Sequence, residues 1–452
     1  MRSMRKLLAL LLCLAALLTL SGTALAAEPE PFWLAVRIEG GGSSRVRCYE
    51  EGYAGNLYLS LSDLSAALDG TSKQFLFAYN STDDSFSVTT GRPAAAAEDA
   101  TNARARSGAV DLDFLRNRIF VNGGERRYYT YRRGSAKDLY MSLTDVQLML
   151  DLTAERPDGD TLVLDPARPF RPEPAELARE GFFDSISAVV LGDADSGEII
   201  FSRESRRALP IASLSKLMSY LLLCETAERG ELNFSDSVTI TAESETISRS
   251  SDGMISMKAG TEVPMSELID AMLLASSNEA AASLASHAAG STEAFVERMN
   301  ARAKEMGLFT ARFYSPHGLP VYTESAVTAK RQNMMSAYDM FRLCAYLLEQ
   351  QPQITDVTAQ QYATMKTLKY STANTNTLVF NLSGITGLKT GSTNRAGNCI
   401  AVSMPVTRGG ETHNIVLVVL GAETAQLRGQ ASEILLRWAR DYYAEHEFRP
   451  AK

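Results

Sequence analysis

Ser213-Leu214-Ser215-Lys216 is the stretch on which the reading of this chain turns. Pro210 precedes it, and Leu214, Leu217, Met218, Leu221 and Leu222 follow at helical spacing. Ser213 is therefore expected in the first turn of a helix, where free N–H groups and the helix dipole favour negative charge. Lys216 falls one turn later on the same face. A serine hydroxyl is a weak nucleophile until a base takes its proton. A lysine serves as that base when burial and a neighbouring cation lower its pKa. The tetrad alone says little, because about two such S-x-x-K matches arise by chance at ordinary composition. Ser3-Met4-Arg5-Lys6 is one of them, and an isolated match reads as a serine cap followed by a solvated lysine.

Two later stretches give it meaning. Ser276-Ser277-Asn278 stands between the apolar run Met272 to Ala275 and the alanine-rich helix expected over 279–289. A bend there can turn Ser276 and Asn278 into a cleft, Ser276 as a proton relay and Asn278 as an amide with both donor and acceptor. Read alone, the same residues cap the next helix. Lys389-Thr390-Gly391 runs on into Ser392-Thr393 and a β-rich segment. An edge strand here can pair with an extended substrate. Gly391 permits close approach, Lys389, Thr390 and Thr393 can hold a carboxylate, and Lys389 is the candidate cation for Lys216. Read alone, it is a turn leading into a strand.

The 452 residues are 45% hydrophobic with a formal net charge of −8. That balance, without a long basic run, argues against nucleic acid as a partner. Arg2, Arg5 and Lys6, an apolar run from Leu7 to Leu20 and Ala24-Leu25-Ala26 have the form of a signal peptide over 1–26. The apolar run is short for a membrane span of about 20 residues. Four cysteines follow it, Cys48, Cys224, Cys344 and Cys399, with no C-x-x-C, and the four histidines have no metal-ligand spacing. No metal site and no cofactor are expected.

Leu57-Tyr58-Leu59-Ser60-Leu61-Ser62-Asp63-Leu64 recurs as Leu139-Tyr140-Met141-Ser142-Leu143-Thr144-Asp145-Val146, 82 residues on. Each copy is expected to pass from an alternating strand into a short helix capped by Ser62 or Thr144, with a second strand at 85–89 or 161–164. The expected organisation is an α+β repeat over 27–92, a linker over 93–108, a second α+β repeat over 109–166 and a spacer over 167–184. Pro166, Pro169, Pro172 and Pro174 make that spacer extended. From 185 to 446 the pattern is a hairpin (186–193 and 198–202), helical runs, strands at 396–404 and 414–420, and a last helix from about 423 to 443. Leu427, Ala431, Leu435, Trp438 and Tyr442 share one face of that helix. Mixed charges on its other side favour packing on the sheet over a membrane surface.

The ordered triple resembles the S-x-x-K, S-x-N and K-T-G set of penicillin-binding proteins and serine β-lactamases. Residues 185 to about 443 are similar to the D-alanyl-D-alanine carboxypeptidases among them. Leu191-Gly192-Asp193-Ala194-Asp195-Ser196-Gly197 looks like that family's first hairpin, Pro316-His317-Gly318-Leu319 its histidine loop, and Ser336-Ala337-Tyr338-Asp339 the start of its next helix. The resemblance implies an α/β (α+β) fold of the β-lactamase/transpeptidase-like kind, a central antiparallel sheet flanked by helices. By position it implies Ser213 as nucleophile, Lys216 as base, and Ser276 with Lys389 in proton transfer to the leaving group. Asn278, Thr390, Gly391, Ser392 and Thr393 would bind substrate, with the N–H groups of Ser213 and Ser392 as oxyanion hole. It further implies peptidoglycan stem peptides as substrate, β-lactam antibiotics as inhibitors, and a secreted, extracytoplasmic place in a bacterial envelope. The chain departs from the pattern at Asn374-Thr375-Asn376, where family members often carry an arginine, and at Ser315, where an asparagine is common.

The two repeats resemble the copper-amine-oxidase N-terminal-like module of bacterial envelope proteins, though no copper ligands are evident. They are expected to act as spacers, with a cell-wall or protein ligand as the alternative. For the whole chain the alternatives are a D,D-endopeptidase with the same residues, a β-lactamase, and an envelope binding protein with a silent site. The β-lactamase reading lacks an E-x-x-x-N acid between Ser276 and Lys389. The silent-site reading is opposed by the intact motifs.

Overall fold

The computed structural model describes residues 31–51, 56–94, 110–111, 117–133, 138–157, 159–321 and 331–450. The expected signal peptide and most of the 93–108 linker lie outside them. The chain divides into two compact units, Met1–Asn117 with Tyr129–Arg168, and Arg118–Tyr128 with Pro169–Lys452.

In the first unit the two repeats share one sheet. Its strands are β1 (Phe32–Ile38), β2 (Ser43–Glu51), β3 (Asn56–Ser60), β6 (Val110–Asp111), β9 (Thr130–Arg133), β10 (Tyr140–Ser142), β11 (Thr153–Glu155) and β12 (Thr161–Asp165), in the order β11-β12-β1-β2-β3-β10-β9-β6. A further hairpin, β4 (Phe75–Asn80) with β5 (Ser85–Thr90), completes the first copy. The copies had been expected as separate small units. Instead, β3 pairs with β10 antiparallel, with Tyr140 opposite Ser60, Met141 opposite Leu59 and Ser142 opposite Tyr58. With the 82-residue offset this register is symmetric about Leu59 and Met141. The symmetry extends outward: Tyr49 lies opposite Tyr58 and Tyr131 opposite Tyr140. Those four tyrosines form one buried cluster, with Tyr58 and Tyr131 edge to face at 4.4 Å. The physical reason for the sharing is that two or three short strands cannot bury a core alone.

Each copy then enters a helix, α1 (Leu61–Ala67) or α2 (Leu143–Leu150). The caps are Ser60 and Ser142, not Ser62 and Thr144. Ser60 Oγ accepts from Asp63 N at 3.2 Å and Ser142 Oγ from Asp145 N at 3.1 Å. Strand passes directly into helix, so its last residue is also the cap.

In the second unit the part of the 167–184 stretch from Pro169 onward is not extended throughout, although that had been expected. Pro174 opens a helix, α3 (Pro174–Arg179), because proline suits the first helical position. Buried Leu177, the Arg171–Asp441 ion pair at 2.7 Å and the Trp438 to Glu173 bond at 2.9 Å hold the segment down. The hairpin β7 (Arg118–Val121) and β8 (Gly124–Arg126) also belongs to this unit.

The central sheet is antiparallel, ordered β14-β13-β23-β22-β21. Its strands are β13 (Ala188–Asp193), β14 (Ile199–Arg203), β21 (Gly387–Thr393), β22 (Gly397–Arg408) and β23 (Glu411–Ala422). Short two-residue or three-residue pairs lie outside it: β15 (Leu209–Pro210) with β18 (Met334–Met335), and β16 (Ser237–Thr239) with β17 (Glu262–Pro264). A longer satellite hairpin joins β19 (Tyr362–Met365) to β20 (Tyr370–Ala373). The remaining helices are α4 (Ser215–Glu228), α5 (Ala242–Ser248), α6 (Met265–Leu273), α7 (Asn278–Ala289), α8 (Thr292–Glu305), α9 (Ala337–Gln350), α10 (Ile354–Thr358), α11 (Leu378–Asn381) and α12 (Ala425–Glu445).

Val416, Val418 and Leu420 of β23 join the main core with α4 and α9, while Leu417 and Val419 alternate to the other face, where α12 packs. The expected packing of the last helix on the sheet is thus observed. Among the described residues no helix is long and apolar enough to cross a membrane. Helix α4 runs through the middle, buried on every side from Ser215 to Cys224. Its full burial is what takes Lys216 out of water.

Candidate active site

Ser213 lies on a single 3₁₀ turn, Ala212–Leu214, that feeds α4. The turn is held tightly from two sides. Ala212 has a left-handed φ of 47°, and Gly318, at φ +95°, passes so close that a Cβ on it would lie 2.0 Å from Ala212 O. On the other side β21 runs past the turn at Gly391, where a Cβ would stand 2.7 Å from Ser213 N. Only glycine lets the edge strand approach Ser213 this closely. Ser213 stays partly exposed while its neighbours are buried.

Lys216 is wholly buried, and its Nζ is 2.8 Å from Ser213 Oγ. It also donates to Asn278 Oδ1 at 2.7 Å and His317 O at 2.9 Å. Burial first, and then the Lys389 charge, push its pKa well below the ordinary lysine value, with Glu279 opposing. A neutral amine has two hydrogens and one lone pair. The two carbonyl oxygens accept the hydrogens, which leaves the lone pair for the Ser213 proton.

Asn278 opens α7, and its amide is oriented at both ends, since Nδ2 donates to Asp252 O at 2.9 Å. Ser277, not Asn278, caps the helix by accepting from Ala280 N at 3.0 Å. Ser276 has a left-handed φ of 62° and is partly exposed, the bend that the motif suggested. No described hydrogen bond joins its hydroxyl to Lys216.

Lys389 is buried on β21, and its pKa is pushed down to about 7 by burial and by the Arg428 charge. Its Nζ donates to Thr390 O at 2.9 Å. Thr390 Oγ1 donates to Thr375 Oγ1 at 2.7 Å. Ser392 is exposed and donates to Asn398 Oδ1, and Thr393 Oγ1 accepts from Ala396 N. The structure therefore brings Ser213, Lys216, Asn278 and Gly391 into direct contact. Lys389 acts on Lys216 through its charge, and no described hydrogen bond joins Ser276, Ser392 or Thr393 to Ser213 or Lys216.

Several supporting residues were not singled out from the sequence. The His317 carbonyl takes a lysine hydrogen, while its buried ring has its pKa pushed down to about 3 by burial and the Lys216 charge. A backbone acceptor has no side-chain signature, so only the Pro316-His317-Gly318-Leu319 stretch marked the place. Buried Asn333 ties the parts together: Nδ2 donates to Ser215 Oγ and Ser315 O, and Oδ1 accepts from Tyr314 N and Ser315 N. Glu279 accepts from Met254 N at 2.9 Å and from Ile255 N, fixing the loop over α7. Arg428 became visible only when the strands and helices were assembled, and Thr375, marked in the sequence as a departure from the family pattern, gained its contact with Thr390 there.

Outside this site Asp193, Asp195 and His413 stand close enough to share a metal ion. Both ring nitrogens of His413 already face carboxylates, Nδ1 to Asp193 at 2.6 Å and Nε2 to Glu411 at 3.1 Å. Burial opposes its charge, but the bonds to Asp193 and Glu411 prevail and raise its pKa, which favours the protonated ring over a metal ligand.

A family model described as D-alanyl-D-alanine carboxypeptidase matches residues 179–424. The chain is 32% identical over 275 residues to the D-alanyl-D-alanine carboxypeptidase DacF of Bacillus subtilis, covering 60% of this chain and 65% of that protein. It is 30% identical to a D-alanyl-D-alanine endopeptidase of Escherichia coli, covering 58% of this chain and 81% of that one. The chain thus spans less than two thirds of the first of these. Among solved structures, a peptidoglycan synthesis regulatory factor (PBP3) of Streptococcus pneumoniae superposes with a TM-score of 0.52 at 27% identity, covering 57% of this chain and 73% of that one. Penicillin binding protein 5 of Haemophilus influenzae does so with a TM-score of 0.50 at 27% identity, covering 56% and 70%.

Proposed function

This chain belongs to the D-alanyl-D-alanine carboxypeptidase family, and on that premise we propose that it is a serine D,D-carboxypeptidase that trims the terminal D-alanine from peptidoglycan stem pentapeptides. The observation that carries the reading is the 2.8 Å contact between Lys216 Nζ and Ser213 Oγ, with Asn278 Oδ1 and His317 O as the amine's other two partners at 2.7 and 2.9 Å. Lys216 takes the hydroxyl proton as Ser213 Oγ bonds to the carbonyl carbon between two D-alanines. Charge develops on the carbonyl oxygen between the Ser213 and Ser392 N–H groups, where preorganised donors stabilise it. Collapse breaks the peptide bond, and the proton passes through Ser276 to the leaving amine, with the Lys389 charge assisting. Water then attacks the ester, Lys216 again acting as base, and frees Ser213. Asn278 and the backbone of β21 hold the peptide, and Thr390 and Thr393 with Lys389 receive its terminal carboxylate.

β-Lactams enter the same site and acylate Ser213. The basic and apolar segments ahead of Ala24-Leu25-Ala26 support an extracytoplasmic location. The similarity to an endopeptidase over 81% of its length supports cleavage of cross-linked peptides as the second reading. A purified stem pentapeptide and a cross-linked dimer separate the two: release of free D-alanine supports the first, and cleavage of the dimer alone replaces it by the second. A fluorescent penicillin adduct that vanishes with Ser213→Ala supports the acyl-enzyme, and no adduct on folded protein rejects it.

A further inference from the structure

The hairpin formed by β7 and β8 comes from the stretch expected to be the second accessory repeat, yet it packs within the catalytic unit. Its grip is specific. Arg126 Nη1 donates to Phe380 O at 2.8 Å, and Arg127 N donates to Asn381 Oδ1 at 2.7 Å. Asn381 Nδ2 returns a bond to Arg127 O at 2.8 Å. Arg127 Nη2 reaches Tyr362 Oη at 3.1 Å and pairs with Glu125 at 3.0 Å. Tyr362 Oη in turn donates to Glu125 Oε2 at 2.5 Å. The Arg127 guanidinium lies over the Phe380 ring at 4.9 Å and the Tyr362 ring at 5.8 Å.

Both gripped places adjoin the segment beside the catalytic strand. Tyr362 follows Gln361, whose backbone oxygen accepts from Asn374 N at 2.8 Å and whose Nε2 donates to Val379 O at 3.1 Å. Helix α11, which carries Phe380 and Asn381, begins two residues after Asn376, and Leu378 N donates to Asn376 Oδ1 at 3.1 Å. Asn376 Nδ2 holds Gly387 O, at the start of β21, at 3.1 Å. Between them Thr375 receives the Thr390 hydroxyl at 2.7 Å. The hairpin thus clamps the two flanks of Asn374-Thr375-Asn376 while the middle residue touches the Lys389-Thr390-Gly391 motif.

We propose that Glu125, Arg126 and Arg127 are positioning residues for substrate binding: the hairpin fixes the 374–376 segment, and through Thr375 it fixes Thr390 on the wall that receives the substrate's terminal carboxylate. The hairpin is a part of the peptidase site supplied from the accessory stretch of the chain. The assignment of a carboxylate to that wall rests on the carboxypeptidase reading; the mechanical coupling does not.

The test uses the full chain with Arg127→Ala, Tyr362→Phe, Thr375→Ala and the Arg127→Ala/Thr375→Ala double variant. KM and kcat for D-alanine release from a stem pentapeptide are measured, with hydrogen exchange over residues 361–381. Arg127→Ala is expected to raise KM about fivefold, with kcat within about twofold of the parent. Tyr362→Phe, which keeps the ring and loses only the bridging hydroxyl, is expected to raise KM about twofold. In the Thr375→Ala background the Arg127→Ala effect on KM should shrink below about twofold, because the two act along one path. Exchange at 374–376 should quicken in Arg127→Ala. An unchanged KM, or the same KM ratio in both backgrounds, overturns the proposal. Should the parent release no D-alanine, the carboxypeptidase reading fails and exchange alone decides: faster exchange at 374–376 upholds the coupling, and unchanged exchange overturns it.

Discussion

Lys216 carries two demands that one residue must meet together: it must be buried enough to be neutral and bonded well enough to tolerate burial. Asn278 Oδ1 and His317 O supply the bonding, and Lys389 adds repulsion that burial alone would not give. Acylation by a penicillin is therefore expected to rise with pH as Lys216 loses its proton and to fall as Lys389 loses its own near pH 7. Lys389→Met removes the repelling charge, so the Lys216 pKa should climb and the acid limb move to higher pH. Stopped-flow acylation across pH checks this, and an acid limb that stays in place contradicts it. Gly391 sets a second condition. With Gly391→Ala the new Cβ meets Ser213 N at 2.7 Å, so strand or nucleophile must shift. Displacement of about 1 Å costs roughly 100-fold, and acylation should fall by at least that much while thermal unfolding shows the protein still folded. That Ser213, Lys216 and Asn278 meet could be read from the chain because each is a side-chain type at a telling position. The His317 carbonyl and the contact of Thr375 with Thr390 could not, because one is backbone and the other forms across the fold, although Thr375 itself was marked as a departure from the family pattern.

At the level of elements, the repeat motif predicted strand-to-helix passages that the structure contains, but it misplaced the caps by two residues. Ser60 and Ser142 end their strands and cap their helices at once. Ser60→Ala and Ser142→Ala are each expected to cost about 1 kcal/mol, measured by denaturant unfolding, whereas Thr144→Ala should cost little. Strands β22 and β23 illustrate a different limit. Their apolar runs marked 396–404 and 414–420, yet they extend to Arg408 and from Glu411. Pro405 hid the extension, because proline within a central strand argues against pairing. It is tolerated since β21 pairs only as far as Ser403, and past that point β22 has an open side. The glycines at 409 and 410, both at positive φ, then close the hairpin. Asn333 shows what an element boundary can depend on. Its four bonds join β18 and the histidine loop to the start of α4. Asn333→Ala should lower stability by about 2–4 kcal/mol, read as a drop in denaturant midpoint.

For the molecule as a whole, the buried cations and the buried imidazole make stability depend on pH in a fixed direction. The His317 pKa is about 3 in the folded protein against an ordinary 6.5. Below 6.5 the unfolded chain binds this proton and the folded one does not, so stability falls by ~1.4 kcal/mol per pH unit down to the folded pKa. The folded pKa of Lys389, about 7 against 10.5, acts in the same sense at higher pH, adding stability as pH rises from 7 to 10.5. Unfolding measured from pH 4 to 6 should show a shallower slope in His317→Gln than in the parent, and equal slopes would contradict the burial argument. The fold class was legible because the three ordered motifs and the stretches around them resemble a known family, and that resemblance implies the fold. The joining of the two repeats was not, since strand pairing leaves no local mark in either copy. That joining has a consequence of its own. Because β3 meets β10 about a local twofold at Leu59 and Met141, each copy offers the other the same edge, and the pairing consumes both. Such an assembly cannot be lengthened by adding a third copy in kind. It is a dyad at that seam by construction, and because β12 of the second copy also pairs with β1 of the first, neither copy completes its own strand pairing without the other.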